Sequence, residues 1–336
     1  MMSGRLYIDG YDVYKQFGVY VPDGGWSSLI AFPPLKSYEQ NDWAEEDGVE
    51  ADLSAPVLNT REVSLTFAIS GVFSRYNDFI ELLSDGAYHV FDCAVIGRSY
   101  TLRLVSQSNR EYAVTFGRET LKFADDFPFS GYTYKAPSSP MTANDDYLID
   151  GVQTANYGLR VLQGSFAEVL KTAAVKQNML RNIKTRTGAI YDAKNVIYKA
   201  KDVKLVCLMR AETLTELWRN YDALLYNLIQ PNERTLSVKE LEQDFPFCYK
   251  SCQVSEFYPD GRIWLKFTLT LTFTRDFRIN EDGTILVSED GIPIVTEDGV
   301  YCIDLLLDRY GYKSVRFVND RETLRLTSDG NLRFND

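Results

Sequence analysis

Tyr7-Ile-Asp-Gly10, followed by Phe17-Gly-Val19, returns later in the chain as Leu148-Ile-Asp-Gly151, followed by Tyr157-Gly-Leu159. The apolar alternation Val63, Leu65, Phe67 lines up with Val203, Leu205, Cys207 at an offset of 140 (203 − 63). Leu121-Lys-Phe123 matches Leu265-Lys-Phe267 at 144 (265 − 121). A folded unit copied in tandem keeps its core positions while its surface drifts, so the chain reads as two related domains. Its 336 residues exceed the size at which one hydrophobic core keeps growing.

Each copy opens on a short strand-like segment at a turn, Leu6–Gly10 and Tyr147–Gly151. Glycine after aspartate supplies the positive φ that such a turn requires. A long polar segment follows, then a strand with every second residue apolar, Glu62–Ile69 and Asp202–Leu208. A helix comes next in each copy. Asn77–Leu83 stops at Ser84-Asp85-Gly86, and Thr213–Ile229 carries Leu214, Leu217, Trp218, Tyr221, Leu224, Leu225 and Leu228 on one stripe. The closing strand of copy two, Arg262–Thr274, alternates cleanly, whereas its counterpart Glu119–Phe129 is expected to end early at Asp125, Asp126 and Pro128. The expected class is α+β, mainly β: a first domain over 1–134, a Pro/Ser-rich linker at 135–146, a second domain over 147–278, and a tail over 279–336. That tail repeats Glu-Asp-Gly every eight residues, as Asn280–Val287, Ser288–Val295 and Thr296–Ile303, with a last fragment from Ser328-Asp-Gly330 to Phe334. A short-strand β-meander is expected there. Turn geometry explains the Asp-Gly pairs, and the ligand spacing of a calcium loop is absent.

The net charge of −11 is unevenly placed. Residues 1–144 carry 11 basic and 19 acidic side chains, residues 145–278 carry 19 and 16, and residues 279–336 carry 6 and 12. Between Lys36 and Arg61 there is no base but there are seven acids, Glu39, Asp42, Glu45, Glu46, Asp47, Glu50 and Asp52. The sister segment carries Lys171, Lys176, Arg181, Lys184 and Arg186 with no acid between Glu168 and Asp192. Opposite charge at equivalent loops of a duplicated fold points to loops that meet, within a chain or between neighbours. The basic run lacks interleaved aromatics, so it reads as an interface rather than a nucleic-acid site.

The sequence offers little chemistry. His89 is the only histidine, flanked by Tyr88 and Val90, and reads as a packed side chain. No catalytic triad, Walker loop or dinucleotide fingerprint is present, so no catalytic residue, cofactor or metal site is assigned. Cys248 and Cys252 would supply half a zinc site, but no second pair exists; four apart on an alternating strand, they are expected to share one buried face. The five scattered cysteines argue against a disulfide framework and for synthesis in a reducing cytoplasm. No apolar run reaches the roughly 20 residues of a membrane span, and no secretory signal pattern is seen at the start.

The order of a turn-opened strand, a long charged hairpin-like segment, an alternating strand, one helix and closing strands resembles the tail-tube fold of bacteriophages. Asp9-Gly10, Phe17-Gly18, Pro34-Leu-Lys36, Asn41-Asp-Trp43, Gly48-Val-Glu-Ala-Asp-Leu53 and the Glu-Asp-Gly tail carry the likeness to distal tail and hub proteins, particularly those of Bacteroidetes phages and prophages. The resemblance implies two tandem antiparallel β-sandwich or barrel domains, each with a flanking helix, in a structural virion protein. It further implies a self-assembled ring, a trimer with two tube-like domains per chain or a true hexamer, around a channel that DNA traverses non-specifically. Other tail or baseplate proteins would be its partners and the virion tail its location. Two other readings stand beside it. A carbohydrate-binding module would use Trp26, Tyr38 and Trp43, and a tail-associated hydrolase would need convergent carboxylates in a cleft.

Overall fold

The long alternating segments form strands because each buries one row of side chains. In Arg61–Ser70 (β6) every odd-numbered side chain is buried, and in Ile263–Phe273 (β19) the apolar row is buried while Trp264, Lys266 and the threonines stay half-exposed. The computed structural model describes residues 2–278, apart from 71–72, 109–110, 114–115, 144–145, 177–179 and 192–195, and also Leu306–Leu307 and Lys313–Ser314.

Two antiparallel β-sheet domains with flanking helices result, built on one plan. The first sheet runs in the order Tyr11–Asp12 (β2), Tyr7–Ile8 (β1), His89–Cys93 (β7), Arg98–Gln107 (β8), Phe116–Asp125 (β10), β6, Val19–Tyr20 (β3), with Glu111–Ala113 (β9) beside β10. The second runs Val152–Gln153 (β12), Tyr147–Ile149 (β11), Arg234–Val238 (β17), Gln243–Tyr258 (β18), β19, Lys201–Ala211 (β16), Leu159–Val161 (β13). The orders match strand for strand. Among the described residues the two end strands of each sheet pair only inward, so each sheet is an open path, not a hydrogen-bond-closed barrel.

The matching extends to single hydrogen bonds. Asp9 and Asp150 share a φ of 51°. Asp9 takes the Val90 amide and Asp150 the Thr235 amide, at 2.8 and 2.9 Å. His89 Nδ1 lies 2.7 Å from the second Asp9 oxygen, where Arg234 Nε holds Asp150 at 3.0 Å. The lone histidine is therefore a clamp on a turn, standing in for an arginine. Gly18 and Gly158 are left-handed, and an added Cβ would meet the Ser70 or Arg210 carbonyl at 2.3 or 2.6 Å. Only glycine fits there.

Register corrects one sequence match. Leu121 faces Leu65, and Leu65's counterpart Leu205 faces Leu269, so Leu121-Lys-Phe123 corresponds to Leu269-Thr-Leu271 at 148, not to Leu265-Lys-Phe267 at 144. A shift of four preserves face and alternation, which is why the false match looked sound. The cysteine pair is corrected by a bulge. Register slips between Tyr249 and Ser251, just as it slips opposite Lys122 and Phe123 in the first sheet. The extra residue reverses the alternation. Cys248 stands opposite Thr272 and Cys252 opposite Leu269, so the two thiols occupy opposite faces.

The helices were partly legible. Leu214–Leu228 (α5) lies within the expected span Thr213–Ile229 and is capped by its first residue: Thr213 Oγ1 accepts the Glu216 amide, and Glu216 reaches back to accept the Glu212 amide. Phe73–Leu83 (α3) starts a turn earlier than its apolar stripe implied. Short elements went unforeseen: Val13–Phe17 (α1), Ser27–Ile30 (α2), Ser165–Leu170 (α4) and the 3₁₀ turn Thr154–Tyr157. Asp12 caps α1 through the Tyr14 and Lys15 amides; Gln153 makes no such bond, and there the turn is 3₁₀.

Residues 1–277 form one unit with a continuous apolar core. Helix α5 joins the copies. Tyr221 stacks on Phe32 at 3.9 Å and donates to the Ile30 carbonyl, while Trp218 donates to the Ile96 carbonyl at 2.7 Å. Arg98 pairs with Asp222 and lies over the Trp218 ring. The segment 135–146 is tied to α5, since Ser138 exchanges hydrogen bonds with Asn220 at 2.9 and 3.0 Å. Beyond residue 277, Leu306–Leu307 pairs antiparallel with Lys313–Ser314; the three Glu-Asp-Gly units and the Ser328 fragment lie outside the described residues.

Each sheet also buries a cation at the foot of its first long strand. Arg61 bonds the Leu29 carbonyl and pairs with buried Asp125; at the same offset of 140, Lys201 bonds the Val169 carbonyl. Phe273 occupies the place of Asp125, its ring 5.9 Å from Lys201 Nζ. With no carboxylate in the place of Asp125, burial pulls the Lys201 pKa down to about 8, against a weaker opposing pull from Glu168. The unfolded chain then binds a proton that the native chain refuses between pH 8 and the ordinary 10.5. The Lys201 contribution to stability therefore rises across that window, while the buried thiols, whose ionisation burial opposes, contribute with the opposite sign. The urea midpoint of the native chain relative to Lys201→Met should therefore move in favour of the native chain from pH 8 to pH 10; a difference that does not change with pH would refute the assignment.

Candidate assembly interface

Each domain extends a hairpin arm from between its first small helices and its long strand. Arm one is closed at its base by the Leu35–Leu58 bridge and carries Gln40–Asn41 (β4) against Glu50–Ala51 (β5). Arm two is closed by Val175–Tyr198 and carries Leu180–Asn182 (β14) against Ala189–Tyr191 (β15). All these positions correspond at 140. The polar segments that read as connecting loops are thus two-stranded arms in identical register.

Arm one is seated on the second domain. Lys176 Nζ, its side chain 5% exposed, donates to the carbonyls of Trp43, Glu46 and Gly48, each at 2.8 Å, and lies 2.5 Å from Asp42 Oδ1. The Gly48 amide donates to the Tyr198 carbonyl and the Tyr198 amide to Asp47 Oδ1, both at 2.8 Å. Val49 donates to the Thr274 carbonyl, and Asn232 to the Leu53 carbonyl. Gly48 has a φ of +75°, and a Cβ on it would stand 1.7 Å from the Thr274 carbonyl oxygen. The arm's tip is therefore read mainly through its backbone. One ammonium gathers three converging carbonyls, an arrangement lysine suits with its three donors.

Of the charged residues singled out from the sequence, Lys176, Asp42 and Asp47 come together in this contact. Glu39, Glu45, Glu46, Glu50 and Asp52 are exposed; the Glu50 carboxylate, held below its usual range by Trp43 Nε1 and then Asn41, stays within its own arm. Asp52 accepts the Ser54 amide. Lys171 lies 3.8 Å from Glu168, Lys184 and Arg186 are exposed on arm two, and the Arg181 side chain lies outside the described residues. The three aromatics proposed for glycan contact separate. Trp26 is 3% exposed, packed in the core because it opens α2 against the sheet, and offers no surface to a sugar. Tyr38 is half-buried on Cys248 Sγ at 3.0 Å, while Trp43 is 51% exposed.

Lys36, Leu58, Tyr88 and Phe127, which the charge pattern passed over, become conspicuous only through this geometry. Burial raises the Cys93 thiol to about 12 and the Cys252 thiol to about 11, so neither ionises readily. Among the described residues no group of three or more His, Cys, Asp or Glu side chains could hold a metal, and no helix is long and apolar enough to cross a membrane.

No family model matches the chain, and no curated protein matches it. Among solved structures it is similar to the Dit protein (gp 19.1) of phage SPP1, described as a paradigm of the hub adsorption apparatus of phages that infect Gram-positive bacteria. The identity is 13%, the TM-score 0.29, and the alignment covers 80% of this chain and 97% of that one. A likeness at that level establishes no family.

Proposed function

We propose that this chain is a structural protein of a phage tail tip whose copies join head to tail into a ring. The supporting observation is the asymmetry of its two arms: arm one is seated on the second domain of its own chain, and arm two, built alike, is seated on no domain among the described residues. A heterologous contact of this kind closes into a ring when its rotation permits. Two domains per chain favour a trimer with six pseudo-equivalent positions over a hexamer. The tail-tube-like order of elements supports the placement in a virion tail, assembled in a bacterial cytoplasm with other tail or baseplate proteins. The net charge of −11 suits a channel through which DNA passes without adhering.

Native mass spectrometry at increasing concentration, followed by negative-stain imaging, tests this reading. Rings of three chains are expected. A chain that stays monomeric at millimolar concentration and forms no ring on a grid overturns it.

A further inference from the structure

We infer that arm two, residues 175–198, seats on the first domain of a second copy of this chain, with Lys36 as the receiving ammonium. This rests on the ring reading and specifies the contact that would close it. Lys36 is the counterpart of Lys176 by backbone register: its amide donates to the Val57 carbonyl as that of Lys176 donates to Ile197, both at 2.8 Å. The flanking bonds match too, Asn59 to Pro34 and Lys199 to Ala174. Yet Lys176 is covered, while Lys36 is exposed and its ammonium has no partner among the described residues. The amide and carbonyl of Leu58, counterparts of the Tyr198 groups that bind arm one, also have none among the described residues.

The surface beside Lys36 differs from its counterpart in the way arm two differs from arm one. Next to arm one, Arg275 pairs with Glu233 at 2.8 Å. At the equivalent positions, register places Phe127 and Tyr88, ring centroids 6.0 Å apart and 68% and 45% exposed, with Val57 52% exposed nearby in sequence to Leu58. The equivalence holds in detail: Glu233 accepts from the Thr274 hydroxyl, and Tyr88 donates to Asp126, so donor and acceptor have exchanged places. On arm two, Ile183 and Ile190 replace Trp43 and Glu50 and are 42% and 43% exposed. An apolar tip thus meets an apolar receiver. By the same correspondence Lys36 would take the carbonyls of Ile183, Arg186 and Gly188.

Glycine supplies a selective test. Gly188 has a φ of +81° and open space around its missing Cβ, whereas Gly48 has the Thr274 carbonyl against it. Gly188→Ala adds a methyl that meets no other atom of its own chain, strains the arm's turn at this positive φ, and would strike the Asp126 carbonyl of a neighbour; Lys36→Glu, on the receiving side, leaves that turn untouched. Full-length Gly188→Ala and Lys36→Glu should keep the native circular dichroism of the monomer and each weaken association about tenfold or more, measured by sedimentation equilibrium. A photo-crosslinker at Thr187 should label Leu58, Tyr88 or Phe127 of a second chain. Rings that form with native affinity in both variants, or crosslinks that map elsewhere, overturn this docking and leave the ring standing. A native chain that never associates removes both.

Discussion

Lys176→Met should unseat arm one and lower the melting temperature of the chain by on the order of 10 °C. The side chain is 5% exposed and spans three carbonyls and a carboxylate. Methionine fills much of the same volume but donates nothing, so the carbonyls must find water or remain unpaired. Each buried unsatisfied group costs about 1–3 kcal/mol, and partial rewetting at the arm's edge puts the total near 3–5 kcal/mol, the range for breaking a buried charged contact. At roughly 2–4 °C per kcal/mol for a body of this size, the shift follows. Limited proteolysis should open new cuts between residues 36 and 58. A melting temperature within a degree or two of native, with no new cuts, would show that the ammonium does not hold the arm.

Asp125→Ala should be as severe, for a different reason. Arg61 lies 9% exposed at the foot of β6, bound to the Leu29 carbonyl and lying 4.9 Å over the Tyr100 ring, with Asp125 as its anion. Removing the carboxylate strands a guanidinium that cannot shed its proton. A loss of about 3–5 kcal/mol is expected. The double variant Arg61→Met, Asp125→Leu should lose less than Asp125→Ala alone, because replacing a buried pair by apolar side chains is often close to neutral. Urea denaturation of the three proteins decides it: a double variant worse than the single would mean the pair holds the fold through packing, not charge.

The duplication was legible in sequence where the spacing between copies is constant. From Gly18 to Ser70 the offset stays near 140, and there the turn glycines, arm bases and long strands all align. Past α3 and α5 it grows, to 145 (236 − 91) at the strands after the helices, of which the second is longer, 15 residues against 11, and then to 148 (269 − 121) at β10, so the match at 144 falls four residues short. The Cys248–Cys252 reading failed at a bulge, which leaves no mark in an alternation counted by eye. Charge picked out Lys176, Asp42 and Asp47, yet the contact they join is made mostly by backbone carbonyls and amides, which every residue possesses. Lys36 escaped notice for a related reason: a single exposed lysine carries no signal until its twin is seen at work.

The internal seating of arm one also bears on how quickly an assembly could form. When domains are joined in one chain, every second contact of a six-position ring is made at the effective concentration of a tether, which for short connections reaches the millimolar range. A trimer would then need two encounters in solution where six separate domains would need five, and each incoming chain would arrive with half of its neighbourhood already built. Tandem fusion would in this way trade a concentration-dependent nucleation step for one completed during folding.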